Sequence, residues 1–92
     1  MPTIHIQIIG KVQGVYYRAS AKEEAGKLGL TGWVKNMGSG DVEAMATGSE
    51  INLARFVEWC KIGPAGAYVE NVIVNKLDEM EFDKFEIQRG RF

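Results

Sequence analysis

Apolar and polar residues alternate at the start of the chain. Ile4, Ile6 and Ile8 are separated by His5 and Gln7, the pattern of a half-buried strand. From about Arg18 the period changes. Tyr17, Ala21, Ala25 and Leu28 fall at i, i+4, i+8 and i+11, one face of a helix, and Glu23 stands four residues before Lys27 as a favourable ion pair. Gly29 is placed to end that helix in the left-handed conformation.

Leu30 to Asn36 reads as a short strand carrying Trp33, Met37-Gly38-Ser39-Gly40 as a turn, and Asp41 to Thr47 as resumed alternation through Val42, Ala44 and Ala46. Gly48-Ser49 opens a second helix with Ser49 as its N-cap, and Leu53, Phe56, Val57 and Cys60 form its buried stripe. Gly63-Pro64-Ala65-Gly66 breaks the helix. Val69 to Val74 predicts a strand with an irregularity near Glu70-Asn71, where Val69 and Val72 are out of phase. A polar turn around Asp78 to Glu81 precedes a last strand, in which Phe82 or Phe85 and Ile87 alternate with Lys84, Glu86 and Gln88.

Strand, helix, strand, strand, helix, strand, with room for a further terminal strand, is the split βαβ order of ferredoxin-like α+β folds. It predicts one antiparallel sheet of four to five strands with both helices on one face. No linker, repeat or low-complexity segment interrupts it, so residues 1–92 are expected to form a single domain.

Composition narrows the partners. With 46% hydrophobic and 25% charged residues the chain has the balance of a soluble globular protein. Its formal net charge of −1 exerts no global pull on nucleic acid or anionic membrane, so any anion site must be local. The one cysteine, Cys60, can form no internal disulfide. The first residues carry neither a basic n-region nor an apolar h-region, and no apolar run reaches transmembrane length. A cytoplasmic location, with neither nucleic acid nor membrane as partner, is the expectation.

The densest candidate chemistry lies in Gly10-Lys11-Val12-Gln13-Gly14-Val15-Tyr16-Tyr17-Arg18, between the first strand and the first helix. Backbone N–H groups at a helix start have no intrahelical acceptor, and the helix dipole makes that end positive. Glycines let the chain curl so that such donors converge, and an arginine adds a planar cationic fork suited to phosphate or carboxylate. Arginine in a first turn opposes the dipole, a small conflict that an anion would offset. The run is not a Walker loop, lacks the Gly-x-Gly-x-x-Gly fingerprint, and has no cysteine for a phosphocysteine intermediate. On residues alone it reads either as an anion cradle or as a plain strand-to-helix connection.

Asn36 carries two readings as well: turn chemistry ahead of a glycine-rich segment, or a neutral amide that orients a water by donating and accepting at once. His5, on the polar phase of its strand, reads as a sheet-face residue rather than a metal ligand, and Cys60 as buried filler rather than a nucleophile. Trp33, Trp59, Tyr16 and Tyr17 read as packing groups. The aromatic-rich motif of RNA-recognition modules is missing.

Gly10 to Arg18, then Ala25-Gly-Lys-Leu-Gly-Leu-Thr-Gly-Trp-Val-Lys-Asn36, then Gly40-Asp-Val-Glu43, resemble the acylphosphatases. The resemblance runs from roughly Ile4 to Arg89, with Gly63-Pro64 and Phe85-x-Ile87 also in pattern. It implies a βαββαβ sandwich in which Arg18 binds the substrate phosphate together with the backbone amides of Gln13, Gly14, Val15, Tyr16, Tyr17 and Arg18, while Asn36 holds the attacking water. Tyr17 stands where the family usually has phenylalanine, Ala21 where threonine is frequent, and Met37-Gly38-Ser39-Gly40 where a turn often contains Pro-Asp-Gly.

The implied reaction is hydrolysis of an acyl phosphate to carboxylate and inorganic phosphate, by in-line attack of water with proton transfer to the substrate itself. A carboxylate, conjugate to an acid with pKa about 4, leaves without a general acid. No metal or other cofactor is then required. A free-standing monomeric enzyme is the expectation, because nothing beyond the one domain is present. A non-catalytic anion-binding or interaction module on the same fold, and an RNA-binding domain, are the rival readings.

Overall fold

The computed structural model describes residues 1–89. Strand β1 (Thr3–Lys11) leads to helix α1 (Tyr17–Lys27), strands β2 (Thr31–Asn36) and β3 (Val42–Thr47), helix α2 (Glu50–Ile62), and strands β4 (Tyr68–Leu77) and β5 (Phe85–Gln88). The five strands form one sheet in the order β4-β1-β3-β2-β5.

Parity along each strand decides which face is dry. Ile4, Ile6 and Ile8 of β1, Val34 of β2, and Val42, Ala44 and Ala46 of β3 are buried, and they share one core with Tyr17, Ala21 and Ala25 of α1 and Leu53, Phe56 and Cys60 of α2. Successive strand side chains point to opposite faces, so His5, Gln7, Trp33, Lys35 and Glu43 project from the other side. There His5 Nε2 lies 2.8 Å and Lys35 Nζ 3.3 Å from the Glu43 carboxylate, Gln7 donates to Asp41 at 3.0 Å, and Lys35 sits over the Trp33 ring. Both helices cover the apolar face, as the helical stripes require.

The local signals land where the periodicity predicts. Ser49 caps α2 by accepting the Asn52 N–H at 3.2 Å, and Gly29, with φ 66°, follows the end of α1. The irregularity in β4 is a bulge: Ile9 pairs with Asn71 but Gly10 pairs with Val69, so Glu70 is the extra residue.

One feature of the expected sheet needs correction. Three seams are antiparallel, but β5 runs parallel to β2, with Gly32 opposite Phe85 and Val34 opposite Ile87. The cause lies in residues 78–84: the polar turn expected at Asp78 to Glu81 extends through Lys84, and the strand begins only at Phe85. These residues carry the chain from the β4 edge across the end of the sheet to the β2 edge, and reverse it on the way. A buried pair of threonines clasps the crossing. Thr3 and Thr47 share a 2.7 Å hydrogen bond, Thr3 Oγ1 accepts from Met80 N at 3.0 Å, and Thr47 Oγ1 donates to Met80 O at 3.1 Å.

Candidate active site

The run from Gly10 to Arg18 divides between two tasks. β1 continues through Lys11, so Gly10 belongs to the sheet, where its φ of 143° lets the β4 bulge approach. The cradle proper is the short connection from Val12 to Tyr16. Two residues in it adopt left-handed backbone, Gly14 at φ 75° and Tyr16 at φ 62°. A non-glycine side chain in that region costs about 1–3 kcal/mol, and such strain concentrates at ligand sites. Tyr16 is the N-cap of α1, is 84% exposed, and makes no side-chain cap.

Consequently the helix start is uncapped. Its first turn holds no acidic residue, and the first backbone donor to find a carbonyl is Ser20 N, which bonds Tyr16 O at 3.0 Å. Among the described residues the N–H groups of Gln13, Gly14, Val15, Tyr16, Tyr17 and Arg18 have no acceptor. This is the donor array of a helix N-terminus, with a positive dipole end behind it. Arg18 stands within it, in the first turn of α1.

Asn36 closes the other side. It ends β2 with the parity of Val34, so its side chain points to the helix-covered side of the sheet, at the end where the cradle lies. Its Oδ1 is buried and has no hydrogen-bond partner among the described residues. The turn that follows is closed without the Asn36 side chain, by Met37 N to Asp41 O at 2.8 Å and Gly40 N to Met37 O at 3.1 Å. The turn-forming reading of Asn36 therefore finds no support in its contacts. A buried amide oxygen that no protein group satisfies needs another partner, such as a water or a ligand.

Arg18 and Asn36 line a single cleft of about 670 Å³ together with Val12, Gly14, Tyr16, Tyr17, Ala19, Ile87 and Arg89. Ile87 and Arg89 were not singled out from the sequence. They reach the cleft because β5 lies beside β2, with Gln88 paired to Lys35 one step before Asn36. No local pattern announces that. Among the described residues no acidic side chain lines the cleft.

The remaining candidates sit elsewhere. His5 is on the open face against Glu43. Cys60 is buried in the core, and burial pushes its thiol up to about 12, well away from a reactive thiolate. Among the described residues no group of three His, Cys, Asp or Glu side chains is arranged to hold a metal ion, and no helix is long and apolar enough to cross a membrane.

Comparison with known proteins bears on the family and the fold. The acylphosphatase family profile matches residues 4–87. An acylphosphatase of Thiobacillus denitrificans is 45% identical over 86 residues, 94% of this chain and 96% of the relative. The solved structure of an acylphosphatase from Coxiella burnetii superposes with a TM-score of 0.92 at 39% identity, covering 95% of this chain and 92% of that one. That of the acylphosphatase from Bacillus subtilis gives 0.92 at 38% identity, covering 96% and 99%. With nearly its whole length matched in sequence and in fold, the chain belongs to the acylphosphatase family.

Proposed function

We propose that the chain hydrolyses the carboxyl–phosphate bond of acyl phosphates, releasing carboxylate and inorganic phosphate, with Arg18 and Asn36 as its catalytic residues. The observation that supports this reading is the meeting of three features in one cleft: the helix start whose N–H groups at Gly14, Tyr16, Tyr17 and Arg18 are unpaired, the Arg18 side chain, and the partnerless Oδ1 of Asn36.

Each part has a task set by the chemistry. The phosphoryl group brings negative charge that spreads over its oxygens as the bond to the leaving group loosens. Preorganised N–H donors and a guanidinium stabilise that charge without reorganising. Asn36 accepts a hydrogen bond from water through Oδ1, turning a lone pair of the water oxygen toward phosphorus. That oxygen forms the new P–O bond while the bond to the carboxyl oxygen breaks, and the electron pair leaves on the carboxylate. The proton released by the water passes to a phosphoryl oxygen. An amide cannot act as a base, but none is needed when the leaving group is already a stable anion. The protein's contribution is alignment and charge stabilisation. The same reading takes the protein as a cytoplasmic monomer working without cofactor on a small acyl phosphate.

Benzoyl phosphate hydrolysis with chelator present, measured beside an ordinary phosphate monoester, tests the proposal. The acyl phosphate alone should be cleaved. Arg18→Ala should lose both phosphate binding and turnover. Asn36→Ala should retain inorganic phosphate as an inhibitor while kcat falls by about two orders of magnitude. Parental rates in either variant would remove that residue from the mechanism, and phosphate binding without any cleavage would leave only an anion-binding module.

A further inference from the structure

Gln13 lies in the connection before α1 with its backbone N–H unpaired, and its side chain does something separate. The two hydrogens on Nε2 go to two backbone carbonyls of one turn, Met37 O at 2.7 Å and Asp41 O at 2.8 Å. Both partners are acceptors, which fixes the amide orientation with nitrogen toward the turn. Met37 directly follows Asn36, and Asp41 precedes Val42, the residue paired with Asn36 in the sheet. The amide thus spans both shoulders of the hairpin that ends in Asn36. Across the chain this joins positions 24 and 28 residues apart.

The hairpin has particular need of such a brace. Its turn is Met37-Gly38-Ser39-Gly40, with two glycines and no proline. Gly38 and Ser39 are exposed, and an added Cβ at Gly38 or Gly40 would meet nothing. The turn's own backbone bonds converge on the same atoms, since Met37 N also donates to Asp41 O. A second amide grips Asp41 from β1, where Gln7 donates to its carboxylate at 3.0 Å.

We propose that Gln13 is a positioning residue for hydrolysis, its side-chain amide setting the separation between the phosphate cradle and the water held by Asn36. One residue then touches both halves of the site, through its main chain toward phosphate and through its side chain toward the hairpin. In-line attack tolerates little error in that separation, and a misplacement of about 1 Å costs on the order of a hundredfold in rate. The inference rests on the proposed roles of the cradle and Asn36.

A double-mutant cycle tests it. Gln13→Met keeps the length of the side chain and removes both donors. Its kcat for benzoyl phosphate should fall by roughly ten- to a hundredfold, while the inhibition constant for inorganic phosphate stays near the parental value. In an Asn36→Ala background the same change should cost little more, because a brace acts only through what it braces. Full additivity in the two backgrounds, or parallel loss of phosphate binding and turnover, overturns the proposal by showing a general structural role. So does a Gln13→Met variant with parental kcat. If Asn36→Ala itself keeps the parental rate, or the parent does not cleave benzoyl phosphate, the underlying reading of the site fails as well. Should Gln13→Met not fold, Gln13→Glu gives an independent readout. As an anion it opposes two carbonyls, and as an acid it regains one donor, so its kcat relative to parent should rise as pH falls through the titration of the new carboxyl. A flat ratio overturns the proposal.

Discussion

Tyr17 shows how one atom can join two elements. The carbonyl of Cys60 would ordinarily accept from the N–H four residues on, but that residue is Pro64, which has none. The Tyr17 hydroxyl takes the place of that donor, at 2.7 Å. Burial, with the Cys60 thiol close by, holds the phenol far above its ordinary range, so it remains a donor at every working pH. Its ring also packs against Trp59 at 5.3 Å between centroids. The first residue of α1 is thereby tied to the last turn of α2, behind the cradle. Tyr17→Phe should leave a buried carbonyl unpaired and destabilise the fold by about 1–2 kcal/mol. Chemical denaturation measures this, and an unchanged midpoint would show that the carbonyl had found another donor. Asn36 illustrates the opposite case, a polar atom that the described protein leaves unpaired.

Two elements meet closely where β1 passes the bulge of β4. A Cβ on Gly10 would stand 2.1 Å from Tyr68 O and 2.9 Å from Glu70 N, and the backbone φ of 143° disfavours any other residue. Gly10→Ala should force the two strands apart and cost about 2–4 kcal/mol, the range of severe backbone and packing defects. Hydrogen exchange would locate the damage in the amides shared by β1 and β4. Protection unchanged along that seam would contradict the argument. Gly14 contrasts with it: an added Cβ there meets nothing, and only the φ of 75° is at stake. Gly14→Ala should therefore cost about 1 kcal/mol in stability, and its larger effect should be weaker inhibition by inorganic phosphate as the cradle's N–H groups turn away. Equal inhibition would mean that those donors do not contact the anion.

At the scale of the whole molecule the open face of the sheet sets a pH dependence. Burial raises the Glu43 carboxyl, but hydrogen bonds from His5 and Lys35 outweigh it and leave the group below its ordinary 4.5. A carboxyl lowered by folding lends stability above its unfolded value and loses it as pH falls through the folded one. Urea midpoints should therefore drop below about pH 4.5, and Glu43→Gln, weaker at neutral pH, should drop less over the same interval. Parallel curves for parent and variant would show that Glu43 carries none of the acid sensitivity. The positions that alternate or recur within a few residues were readable before any coordinates: the buried parity of β1 and β3, the stripes of both helices, the Ser49 cap, the bulge near Glu70 and the donor-rich start of α1. Through the motif they carry, the resemblance also named Arg18 and Asn36. These signals are local, because a strand or helix imposes its period on neighbouring side chains whatever it later packs against. Tertiary structure alone decided the parallel place of β5, the threonine clasp on Met80, the arrival of Arg89 in the cleft and the grip of Gln13 on the hairpin. Each joins residues distant in the chain, and such a pairing leaves no period in the sequence to read.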